Sequence, residues 1–72
     1  MISDNVLIGR RLLMYNTPSV RPRIESVICS FYNVYRLYLE NGMTIMFSED
    51  SIEKLLAGIK VQGWVLLGFN ED

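Results

Sequence analysis

The residues able to do chemistry in this 72-residue chain are few: one cysteine, eight carboxylates, seven cations, four tyrosines and no histidine. Without imidazole there is no histidine base, nucleophile partner or metal ligand. Carboxylates alone remain for a cation, and their one cluster is Glu49, Asp50 and Glu53. It lacks the 12-residue calcium-loop spacing and reads instead as acid placed at a helix start. Glu25 and Glu40 would make an acid–base pair only if adjacent strands brought them together; otherwise they are exposed strand residues. Cys29 follows Val27 and Ile28 and reads as a small buried apolar residue. A reactive thiolate needs a basic neighbour or a helix N-terminus. A single cysteine also excludes an intrachain disulfide. Gly9, Gly42, Gly58, Gly63 and Gly68 are isolated, so no phosphate-cradling loop is written here, and no G-x-S-x-G is present. The expectation is a protein that is not an enzyme and uses no metal and no cofactor.

Arginines and aromatics carry more information. Arg10, Arg11, Arg21, Arg23 and Arg36 all lie in the first half, against Asp4 and Glu25. Lys54 and Lys60 face Glu40, Glu49, Asp50, Glu53, Glu71 and Asp72 in the second, so the halves carry +3 and −4. Such polarity suits docking to a charged partner. Arginines interleaved with Tyr32, Tyr35 and Tyr38 also suit a β-surface that stacks bases and holds phosphates. The net charge of −1 and a pI near 5.3 weigh against that use. Tyr35 and Tyr38 also fall on opposite faces of one strand. A chain this short cannot bury all its apolar strand residues, and aromatics with arginine are what protein interfaces use. The expected partner is therefore another protein, contacted by Arg21, Arg23, Arg36, Tyr32, Tyr38 and Phe47. One alternative is nucleic acid held by Arg10, Arg11, Arg21, Arg23 and Arg36. Another is a homo-oligomeric assembly subunit.

These side chains must be positioned by short elements. Asn41-Gly42, between Val34–Leu39 and Met43–Phe47, predicts a hairpin over 33–48 with a two-residue type I′ turn. That register sets Tyr38 opposite Ile45 and Arg36 opposite Phe47 on a partly exposed face. Tyr35, Leu37, Leu39 and Met46 then form the core face. Ile24 to Tyr32 reads as a strand, with Val27, Cys29 and Phe31 on its more apolar side. Pro18 and Pro22 make 16–23 a loop. Val6 to Tyr15 favours a strand over a helix, because Gly9 and Arg10-Arg11 interrupt a helical stripe. Ser48 caps a helix over 49–58, with Ile52, Leu55, Leu56 and Ile59 on one face and Gly58 as its stop. Gly63 to Phe69 reads as a strand apolar on both faces, hence central.

The order β, β, β, β, α, β implies a mainly β domain, a single unit spanning 1–72. It resembles an SH3-like barrel, in which a helical turn precedes the last strand. The fold expected from that resemblance is a small antiparallel β-barrel of about five strands with one short helix before the last. Met1-Ile2-Ser3-Asp4-Asn5 carries an acid where a signal peptide carries Lys or Arg. No apolar run approaches the roughly 20 residues of a membrane span. The expected setting is cytoplasmic, away from membranes. Chains this short and motif-poor suit accessory roles, such as phage- or plasmid-encoded inhibitors or adaptors of a host protein.

Overall fold

In the computed structural model, residues 2–71 are described, and their order is a 3-10 turn, two strands, a second 3-10 turn (Phe31–Asn33), two more strands, an α-helix and a fifth strand. β1 (Leu12–Met14) pairs antiparallel with β5 (Trp64–Leu66). β2 (Ile24–Cys29), β3 (Val34–Leu39) and β4 (Thr44–Ser48) form an antiparallel meander. The protein is thus mainly β, with two sheets and one helix, α1 (Glu49–Leu56). Among the described residues no closed barrel is found. The sheets meet instead through backbone bonds outside the ladders: Gly9 N–H to Ile24 O, Ile24 N–H to Arg10 O, Leu12 N–H to Pro22 O and Met14 N–H to Val20 O. Pro22 lacks a donor but still offers its carbonyl to this seam.

The β3–β4 hairpin forms where Asn41-Gly42 places it, but its loop has three residues. Leu39 N–H bonds to Met43 O, and Gly42 N–H bonds back to Leu39 O. Gly42 sits at φ +84°, the left-handed residue that completes a three-residue hairpin loop. Asn41 Oδ1 accepts from Met43 N–H at 3.0 Å. The extra loop residue moves β4 by one position, and one position reverses every side chain. Tyr35 therefore stands opposite Phe47, and Arg36 opposite Met46. Phe47, expected on the partner-binding face, is 1% exposed in the core. Met46, expected inside, is exposed.

β2 departs from its expected course at both ends. A register shift between Ile24 and Ser26 lets Ile24 and Val27 both point inward. The strand stops at Cys29, which is exposed rather than buried, its Sγ 3.7 Å from Ser30 O. The first segment divides. Asp4–Val6 forms a 3-10 turn that leads to buried Leu7, and Gly9 turns the chain at φ +95°. Only Leu12–Met14 then becomes strand. β5 is shorter than 63–69 and pairs with β1 alone among the described strands, so it is not central.

The helix forms as its pattern dictates. Ser48 Oγ accepts from Ser51 N–H at 3.1 Å, satisfying a donor the first turn leaves open. Gly58 at φ +86° closes the other end: Gly58 N–H bonds Leu55 O and Ile59 N–H bonds Lys54 O. That paired closure is the Schellman arrangement, and it leaves Ile59 outside the helix and exposed. Ile52 and Leu55 face the core, in the buried cluster that also holds Phe47, Leu37 and Trp64. Replacing Ser48 with alanine is expected to lower stability by about 1 kcal/mol, read as a lower urea midpoint at unchanged m-value.

Tyr35 holds the N-terminal segment to the sheet: Ile2 N–H donates to its Oη at 3.1 Å. That bond favours the phenolate, but burial and the nearby Cys29 and Glu49 outweigh it and raise the phenol above its usual range.

Candidate functional site

The connection from β2 to β3 displays the most exposed large apolar side chains described. Phe31 is 88% exposed and Tyr32 95%. Ser30 N–H and Oγ both donate to Val34 O, at 2.8 and 3.1 Å, closing a loop of Phe31, Tyr32 and Asn33. The closure is tight enough to force Tyr32 (φ 63°) and Asn33 (φ 58°) into the left-handed region. Asparagine adopts that region readily, whereas for tyrosine it costs about 1–2 kcal/mol. Neither aromatic regains that energy by burial. The rings stand 6.5 Å apart, tilted by 53°. The strain at Tyr32 is therefore not offset by packing of the exposed aromatic pair.

Behind the loop, the solvent face of the meander continues the surface. Cross-strand register places Ile28, Arg36 and Met46 in one row. Ile28 and Met46 are each more than half exposed. Arg36 Nη2 donates to Met46 Sδ at 3.8 Å, laying the guanidinium along the row. Ser26, Tyr38 and Thr44 form the next row on the same face, with Tyr38 half-buried.

The remaining arginines have structural partners. Arg10 Nε donates to Leu67 O at 2.6 Å, and its guanidinium lies 5.5 Å from the centre of the Phe69 ring. Arg11 Nη1 reaches Arg21 O at 2.7 Å and Glu40 Oε1 at 3.0 Å. Arg21 Nε donates to Pro18 O at 3.0 Å, and Arg23 Nη1 to Gly9 O at 2.7 Å. These cations satisfy carbonyls in segments that the ladders do not reach. Glu40, a candidate acid–base residue, meets Arg11 as an ion pair.

The structure therefore separates the six residues expected to act together. Tyr32 is at the loop. Arg36 and Tyr38 share the solvent face, and Phe47 is in the core. Arg21 and Arg23 sit beyond the far end of β2, roughly 20 Å of strand from the loop. Replacing Arg23 with alanine is expected to cost about 1–2 kcal/mol of stability, because Gly9 O loses its partner. Arg36→Ala should stay within about 0.5 kcal/mol. Thermal melts of the two variants check this contrast.

Sequence reasoning missed Phe31, Ile28 and Met46 as surface candidates. One signal was present: Asn33, between two apolar segments, tolerates the left-handed conformation that closes the loop before β3. A cleft of about 290 Å³ opens elsewhere, lined by Arg11, Ser19, Val20, Arg21, Pro22, Glu40 and Asn41. Its central charges already face one another in the Arg11–Glu40 pair. Among the described residues no group of three His, Cys, Asp or Glu side chains could hold a metal ion, and no helix is long and apolar enough to cross a membrane. No protein-family model, no curated protein and no solved structure matches this chain.

Proposed function

We propose that this protein is a non-enzymatic binding module that grips another protein with the Phe31–Tyr32 loop and the adjoining Ile28–Arg36–Met46 row. The observation that carries the reading is the near-complete exposure of two aromatics on a loop held in strained geometry. Each ring offers about 150–250 Å² to a partner pocket, or roughly 4–6 kcal/mol at about 25 cal/mol per Å². Association costs about 4–15 kcal/mol in lost freedom, so the two rings alone give weak binding. The row behind them supplies the further apolar area and a cation that fixes orientation. The tight loop restrains the backbone before binding, which reduces the ordering cost. Such docking acts sterically, as an inhibitor or adaptor of the protein it covers.

Nucleic acid is the weaker reading, because Arg10, Arg11, Arg21 and Arg23 already bind this chain's own carbonyls. The test is capture from a bacterial lysate on immobilised protein, with and without nuclease, using wild type and Phe31→Ser. The reading expects a stoichiometric protein retained by wild type in both conditions and lost with Phe31→Ser. Recovery that collapses with nuclease would move the assignment to nucleic acid.

A further inference from the structure

The meander ends on two edges of different character. On β2 a bulge lies between Ile24 and Ser26, Glu25 adds a charge, and the Gly9–Arg10 backbone covers the start of the strand. These devices keep an edge from pairing. β4 has none of them. Thr44-Ile45-Met46-Phe47-Ser48 contains no charge, proline or glycine and keeps an unbroken register with β3. Leu39 N–H bonds to Met43 O. By the alternation of an antiparallel ladder, residues 45 and 47 then turn their backbone groups toward β3, and those of Thr44 and Met46 point away from the sheet. Exposed Met46 and half-buried Ile45 flank that open edge on its two faces.

We propose that β4 pairs antiparallel with β4 of a second copy of this chain, about a twofold axis at Met46, to make one six-stranded sheet. The outward backbone groups set the register: Met46 lies opposite the partner's Met46, and Thr44 opposite the partner's Ser48. All these pairs are uncharged, so this isologous contact opposes no like charges. The Ile28–Arg36–Met46 row runs on into its copy, and the two Met46 side chains cover each other. The two Arg36 residues stand three strand spacings apart, about 14 Å, beyond the Debye length of about 8 Å, so their repulsion is screened. A second copy presents the same uncharged, unblocked edge, and the outward residues of the two strands match in register. The twofold axis stands perpendicular to the sheet and leaves both Phe31–Tyr32 loops open at opposite ends. The dimer is then bivalent toward any partner those loops bind.

The experiment needs no partner protein, so its failure is separate from failure of the binding proposal. Sedimentation equilibrium of the pure chain over about a hundredfold range of concentration should show the mass rising from 8.3 kDa toward twice that value. Met46→Lys should stay monomeric with an unchanged circular dichroism spectrum, and Ile28→Lys, on the same face away from the edge, should dimerise like wild type. Met46→Cys in a Cys29→Ser background should cross-link on mild oxidation. Hydrogen-bonded antiparallel partners have Cα atoms about 5.5 Å apart, within disulfide range. A wild type that stays monomeric throughout would overturn the proposal. So would a dimer that survives Met46→Lys, a dimer abolished only by Ile28→Lys, or a Met46→Cys variant that does not cross-link.

Discussion

Replacing Phe47 with alanine is expected to destabilise the protein by about 3–5 kcal/mol. Phe47 is 1% exposed, stands opposite Tyr35 and belongs to the same buried cluster as the α1 residues Ile52 and Leu55. A chain of this length has only about 4–11 kcal/mol of stability in all. The variant should therefore sit at or near the edge of unfolding at room temperature. In the register set by a two-residue loop, Phe47 would lie on the partly exposed face, and its loss would cost about 0.5 kcal/mol or less. Urea unfolding followed by fluorescence of Trp64 separates these outcomes. Met46→Ala should show the reverse pattern, with little change, because Met46 is 56% exposed.

Tyr32→Gly should act in the opposite sense, leaving stability unchanged or raising it while weakening the proposed partner binding. At φ 63° tyrosine is strained and glycine is not, so the folded state gains up to about 1–2 kcal/mol. The greater freedom of glycine in the unfolded chain offsets roughly 0.5–1 kcal/mol of this gain. Loss of a central aromatic anchor costs about 2 kcal/mol or more of binding, a fall in affinity of about thirtyfold. Phe31→Ser should behave similarly in binding without the relief of strain. A residue kept for the fold would lose stability on truncation, whereas one kept for a partner would lose affinity alone.

The elements whose signals are local were legible in the sequence. Ser48 and Gly58 marked the helix, and Asn41-Gly42 marked the hairpin, because capping and turn chemistry act over a few residues. Tyr35, Leu37 and Leu39 were correctly placed on the core face of β3. The face of β4 was not legible, since Asn-Gly serves both a two-residue loop and a three-residue one. Contacts around the turn accompany the longer loop: Glu40 N–H bonds to Arg23 O, and Arg11 holds the Glu40 carboxylate. Both link residues distant in sequence. The arginines misled for the same reason, with Arg10 reaching Leu67 O across 57 positions. Cationic residue types advertise a ligand, and only the fold shows that carbonyls already hold them. The loop at Phe31 and Tyr32 stayed hidden because left-handed tyrosine has no sequence signature, so β2 was read through it.

Phe31 and Tyr32 are proposed to face outward for a partner. The most direct measurement runs wild type and Tyr32→Gly side by side, with nuclease-treated capture from lysate and thermal melting on the same preparations. Tyr32→Gly is expected to melt at or above the wild-type temperature and to lose the protein that wild type retains. Equal capture by both, or a clear fall in melting temperature for Tyr32→Gly, would contradict it.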